Sequence, residues 1–194
     1  MDADEIGNLY FAYGPDMDPE VLRRRGGRPV AVAVARLADF RLAFFGRTAT
    51  WDSGMETVVK SPGDEVWGVL YDLGALAWDH LDGWMDARMD GAGTYFHSPV
   101  EVVDLSGRRH HVRLYRKNRQ GEPTLPSVEY LDLIVGGAGQ QGLPTRYVER
   151  LRRTVARKAS FPVPVPGNPD RGSYASSDCG TCGDAAEELE VEAC

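Results

Sequence analysis

Residues 10–22 read YFAYGPDMDPEVL, and the reading of the break in the middle decides the fold. Tyr10 to Tyr13 are apolar and aromatic, the composition of a strand. Gly14-Pro15-Asp16 interrupts it, and residues 18–25 read as a helix that begins at once. A strand that passes through a glycine break into a helix leaves backbone N–H groups converging at the positive end of the helix dipole, which is a cradle for an anion. The competing reading is a tight turn in which Asp16 or Asp18 caps the helix.

Working outward, apolar strand-forming runs alternate with turn signals. Residues 9–13, 30–45, 56–60, 66–73, 95–103 and 111–116 read as strands, with Gly107-Arg108-Arg109 as a hairpin turn. Helices are expected over 18–25, 74–82, 127–136 and 144–158, the last from Tyr147, Leu151 and Val155 recurring at every fourth position among arginines. One strand, a short helix, several strands and then helices is the order of a mixed α+β fold rather than of a repeating βαβ unit. Residues 1–160 form one expected domain. Residues 161–194 are rich in Pro, Gly, Ser and acidic groups and are expected to be a flexible tail.

Composition narrows the partners. The chain has 194 residues, 42% hydrophobic and 26% charged, enough for one substantial core, and its net charge of −7 carries no massed basic stripe. That argues against nucleic acid and an anionic membrane. There is no apolar stretch of membrane-spanning length, and residues 1–6 are acidic where a signal peptide would be basic, so a cytoplasmic protein is expected. The three cysteines, Cys179, Cys182 and Cys194, all fall in the tail, which leaves the core to hold itself by burial without an internal disulfide.

Several stretches point one way together. LYFAYGPDM at 9–17 resembles the LYFAYGSNM signature of the γ-glutamylcyclotransferase family, also called AIG2-like. VARLADFRLAF, SPGDEVWGVLYDL, PSVEY and GLPTRYVERL are similar to that family's stretches, in its order and at nearly its spacing, from about Leu9 to Leu151. The resemblance implies a barrel-like mixed β-structure flanked by helices, whose first loop binds substrate. It implies intramolecular acyl transfer: the α-amine of a γ-glutamyl amine attacks its own γ-carbonyl, 5-oxoproline closes and the other amine leaves. Such chemistry needs a carboxyl group to shuttle a proton, N–H groups to hold the carbonyl oxygen, and a pocket that folds the substrate on itself. It implies no metal and no organic cofactor. By position, Tyr13, Gly14, Pro15 and Asp16 take the places of the family's substrate loop, and Tyr130 that of its pocket tyrosine.

Departures from the family pattern set the open questions. Pro15 replaces a Ser, removing an N–H and a hydroxyl, and Asp16 replaces an Asn, adding a negative charge where a substrate carboxylate would lie; both weaken an anion site. The family's acid/base is a Glu in a Leu-Asp-x-x-Glu-Gly pattern. Aligned without gaps, that Glu falls on Met85, which transfers no proton; with three residues deleted, Asp82 takes its place. Asp82 is the first choice because both frames put it at an acidic position. Asp86, and Asp90 beyond it in the added loop, are further candidates. Glu56 stands where the family has a small residue, and an inward-facing carboxylate there is a rival.

If residues 74–86 form one helix, Leu73, Leu76, Ala77, His80, Leu81 and Trp84 make its buried stripe and Asp79, Asp82 and Asp86 share a solvated face. His80 and His97 are isolated, and His110 and His111 read as surface residues. Cys179-Gly-Thr-Cys182 has the spacing of half a zinc site or a redox pair, and a flexible tail is the plainer account. Three functions follow: a cyclotransferase acting on a small γ-glutamyl amine, such as a biosynthetic intermediate carrying a γ-glutamyl protecting group; a diverged relative that binds a ligand or partner without turnover; or a scaffold whose tail docks a protein partner.

Overall fold

The computed structural model describes residues 8–26, 28–88 and 90–165. Among these, five strands close into a barrel in the order β1-β3-β2-β4-β5: β1 (Leu9–Ala12), β2 (Val30–Thr48), β3 (Ser53–Asp72), β4 (Tyr95–Asp104) and β5 (Arg109–Lys117). All neighbours pair antiparallel except β1 with β5, whose parallel pairing at Tyr10 and Arg113 completes the ring. Four helices accompany it: α1 (Pro19–Arg24), α2 (Ala75–Met85), α3 (Val128–Gln140) and α4 (Thr145–Arg152). The α+β, barrel-like architecture expected from the sequence is the one observed. No helix among the described residues is long and apolar enough to cross a membrane.

The opening turn folds as local chemistry dictates. Pro15–Met17 is one 3-10 turn with proline at its first position, where no N–H is needed. Asp18 caps α1 by accepting from the Glu20 N–H at 2.8 Å. Charges then complement the short helix, with Glu20 in its first turn and Arg23 and Arg24 in its last.

The two long strands differ from expectation in a way that builds the site. Residues 56–60 and 66–73, read as two strands, belong to the single strand β3, because Ser61-Pro62-Gly63-Asp64 forms an irregularity rather than a connection. Register slips there between Ala38 and Phe40, Asp39 and Gly63 both adopt positive φ, and the Gly63 N–H donates to Asp39 Oδ1 at 2.9 Å. Below the bulge β2 and β3 are barrel staves; beyond it residues 40–60 continue as an arm. The arm packs on the body through bonds from Gly54 N–H to Leu125 O (3.0 Å), Lys117 N–H to Thr57 Oγ1 (3.0 Å) and Tyr95 Oη to Glu56 O (2.8 Å).

At the tip of the arm Asp52 is fully buried, and it accepts from Arg47, from both Arg157 nitrogens and from the Ser160 N–H and hydroxyl. These donors hold its carboxyl far below the usual carboxylate range, the Arg157 bond contributing most. The partnership explains why α4 ends early. Residues 144–158 do not form one helix: α4 stops at Arg152, Val155 is exposed, and the chain leaves so that Arg157 and Ser160 can reach the arm. Residues 161–165 run on past it, with Val165 N–H bonded to Thr50 O at 2.9 Å. The remainder of the expected tail, with its three cysteines, lies outside the described residues.

Helix α2 also turns a different face inward. Trp78, Leu81 and Met85 are buried, whereas Leu76 is exposed and Trp84 and His80 lie outside the core, so the stripe is rotated from the expected one. Consequently Asp82, expected on a solvated face, meets the barrel.

Candidate functional site

The turn after β1, the arm, and the first turn of α3 converge on one place. Gly14 follows β1 directly, and a methyl group built on it would lie 2.9 Å from Glu56 Oε1 and 3.0 Å from its Cγ. Any larger residue at Gly14 would therefore displace the Glu56 side chain. Strand alternation on the arm sends Glu56 to the side opposite Met55 and Thr57, and only 3% of it is exposed. Its Oε2 accepts from Tyr130 Oη at 2.6 Å. Tyr130 is placed by Ser127, which caps α3 by accepting from the Tyr130 N–H and whose own N–H is held by Ser53 on the arm. Trp51 lines the same side, its ring 5.6 Å from that of Tyr130.

Asp16 is deeply buried in an ion pair with Arg25 and accepts from Tyr10 Oη at 2.8 Å. Its charge, expected to oppose an anionic ligand beside Gly14, is thus offset within the protein. Tyr13 is buried and its hydroxyl donates to the Tyr115 carbonyl. Pro15 forms the first residue of the 3-10 turn and offers no N–H, as the sequence dictates.

The other three carboxylate candidates lie elsewhere. Asp86 caps the end of α2 with φ +46 and accepts from the Thr94 N–H (2.9 Å) and hydroxyl (2.8 Å), which ties down the added loop. Asp90 is exposed and bonded to Arg88 and the Ala92 N–H. Asp82 takes two donors on a single oxygen: Tyr115 Oη, and His97 Nε2 at 2.5 Å. Met85, one turn further along α2, is 2% exposed.

Around Asp82 stands an aromatic group that the sequence did not reveal as a unit. Tyr10, Trp78, His97 and Tyr115 pack with ring centroids 5.1–6.1 Å apart, and the Arg113 guanidinium lies 3.9 Å from the Trp78 ring centre. Burial above all, then the Asp82 charge, pushes the Tyr115 hydroxyl far above its ordinary range; burial and Asp16 do the same for Tyr10. Both remain protonated donors at any physiological pH. The sequence does not mark Tyr95, Tyr115 and His97 as site residues, since each is fixed by a partner remote in sequence. No group of three or more His, Cys, Asp or Glu side chains suited to a metal ion occurs among the described residues.

Comparison with known proteins agrees with this fold. Residues 65–151 match the AIG2-like family. The chain is 36% identical over 154 residues to a gamma-glutamylcyclotransferase of Homo sapiens, covering 77% of this chain and 79% of that one. It is 36% identical over 149 residues to the gamma-glutamylcyclotransferase of Bos taurus, with 74% and 76% coverage. A solved gamma-glutamyl cyclotransferase superposes with a TM-score of 0.73 at 32% identity, over 80% of this chain and 92% of that one. The chain belongs to the gamma-glutamylcyclotransferase family.

Proposed function

We propose that this protein is a cyclotransferase that releases 5-oxoproline from a γ-glutamyl amine, and that Glu56 is its acid/base. The observation that carries the assignment is the contact of the Glu56 carboxyl with Gly14, in the loop that corresponds to the family's substrate loop, with Tyr130 donating to its other oxygen. In the ungapped frame Met85 on α2 stands where the family has its acid/base, and on this reading a carboxylate arriving from the arm takes over that function.

The reaction follows from that placement. Glu56 takes a proton from the substrate's α-ammonium, and the freed amine attacks the γ-carbonyl carbon. The carbonyl oxygen gains charge, and N–H groups at the turn are suited to receive it. The carbon–nitrogen bond to the second amine then breaks, and Glu56 returns its proton to that nitrogen. The α-nitrogen passes from an ammonium to a lactam N–H and so gives up two protons, one before attack and one as the ring closes; relayed in turn by Glu56, both reach the leaving nitrogen, which departs as an ammonium ion with charge conserved and the carboxylate restored. Tyr130 holds the carboxyl in register, and the Arg25–Asp16 pair leaves the turn without a free negative charge facing the substrate.

The same proposal extends to class and context: an acyl transfer that eliminates an amine, in the cytoplasm, by a domain ending near residue 160, with no role for nucleic acid or membrane. Tyr13, Gly14, Pro15, Asp16 and Tyr130 form or support the substrate loop. The test is release of 5-oxoproline from a panel of γ-glutamyl amines by the parent and by Glu56→Gln. Release by the parent, reduced by about two to four orders of magnitude in the variant with substrate binding retained, is the expected result. No release from any donor at high enzyme would leave the chain a ligand-binding relative.

A further inference from the structure

The Asp82 cluster is left unused by the chemistry above, and its form is unusual for a structural carboxylate. Both donors, Tyr115 Oη and His97 Nε2, go to Oδ1; Oδ2 takes no hydrogen bond among the described residues. The Asp82 side chain is 29% exposed and that of His97 30%. Arg113 is engaged on the Trp78 ring, and no ion pair of Asp82 with Arg or Lys occurs among the described residues. A carboxylate oxygen is thus presented at a part-open place walled by aromatic rings, the setting in which a cationic group is held by charge and by ring faces together.

Two lines of reckoning put this place beyond the reacting bond. Along α2, Asp82 lies three residues before Met85, on the same face and about 5–6 Å from it. In the ungapped frame Met85 stands where the family has its acid/base, and Met85 is buried whereas the Asp82 side chain is part exposed. Along β4, Tyr95 donates to the Glu56 carbonyl, and His97 follows two residues later on the same face, about 7 Å on. On the cyclotransferase reading, a substrate that closes its ring against the turn at Gly14 would direct its leaving amine outward along this line.

We propose that Asp82, oriented by His97 and Tyr115, is a subsite for a positively charged group on the leaving amine, so that γ-glutamyl derivatives of diamines are preferred over those of neutral or acidic amines. The proposal rests on the cyclotransferase reading and names its substrate class. Asp82 is here a specificity residue, at the far end of the leaving group from the bond that breaks.

The full-length chain is assayed on γ-glutamyl derivatives of 1,4-diaminobutane, butylamine and 4-aminobutanoate, with 5-oxoproline release as the readout. The kcat/KM values fall in that order, the diamine exceeding butylamine by about tenfold, the scale of one charge-assisted hydrogen bond. In Asp82→Asn the diamine-to-butylamine ratio falls to about one. Because the ratio is read within each variant, a general loss of activity from disturbing Tyr115 and His97 does not imitate the effect. A parent without diamine preference overturns the subsite, and so does a ratio that survives Asp82→Asn. Calorimetric binding of free 1,4-diaminobutane and butylamine to the parent supplies a second measurement that needs neither turnover nor a folded variant. Tighter binding of the diamine upholds the subsite even where no derivative yields 5-oxoproline, in which case the cyclotransferase reading alone fails; equal binding overturns the subsite.

Discussion

Two carboxylates approach the barrel from different elements, and they differ in what surrounds them. Glu56 comes from the arm, is almost wholly buried, and has the neutral phenol of Tyr130 on one oxygen and Gly14 against the other. Asp82 comes from α2, is part exposed, and has both donors on one oxygen. The family pattern favours Asp82 by position, yet the turn is touched by Glu56. A proton-shuttling group must sit beside the reacting atoms before its acidity matters. On the proposed reading, the scaffold takes its acid/base from the arm and not from α2.

The largest expected effect breaks the comparison outright. Glu56→Gln keeps shape and the Tyr130 contact but cannot carry a proton, so kcat should fall by about 10²–10⁴. Asp82→Asn should leave a far smaller deficit on a neutral leaving amine. The reverse order, measured by single-turnover release of 5-oxoproline, would return the acid/base to α2.

Why the sequence pointed first to a carboxylate other than the one beside the turn is a matter of distance along the chain. The barrel was legible because strand alternation, turn residues and the family stretches are all local signals, and β1, the turn and α1 fall within one short stretch. The face of α2 was not, because it is set by His97 and Tyr115, 15 and 33 residues from Asp82. Leu76 and Trp84 are as apolar as a core stripe requires, and nothing nearby says they are left outside. Glu56 was visible as an intruding charge, but alternation alone allows either face. Its direction is decided by the bulge at Asp39 and Gly63, which reads in sequence as the end of a strand. Tyr147, Leu151 and Val155 show the converse error: the spacing persists past Arg152, while Arg157 is drawn away to Asp52.

The arm pole depends on more than Glu56, which gives two intermediate tests. Tyr130→Phe removes the donor to Glu56 Oε2 and should lower kcat by about tenfold, the scale of one hydrogen bond to a charged group. KM should change less, since the phenol acts through the carboxyl. At the tip, Asp52→Asn should lower the melting temperature at pH 7 and make it less dependent on acid. The sign follows from the depressed acidity of the folded group. Below about pH 4 the unfolded chain protonates Asp52 while the folded chain does not, so the parent's stabilisation is present above that range and fades as pH falls. The two melting curves should therefore converge toward acid. A gap that stays constant from pH 7 to pH 3 would mean that the tip is held by shape and not by charge.

The smallest effect belongs to the carboxylate that caps the end of α2. Asp86 turns the chain with positive φ, and its side chain accepts from both the Thr94 N–H and hydroxyl. It is committed to the loop that follows α2, and its position at the left-handed cap points it along the chain's return path toward β4. Asparagine is well suited to that backbone conformation and keeps one acceptor oxygen for Thr94. Asp86→Asn should therefore change 5-oxoproline release by less than about threefold, with a small loss of thermal stability from the weaker bonds to Thr94. A loss of two orders of magnitude instead would give the end of α2 a part in proton transfer, and the two poles would have to act on the substrate together.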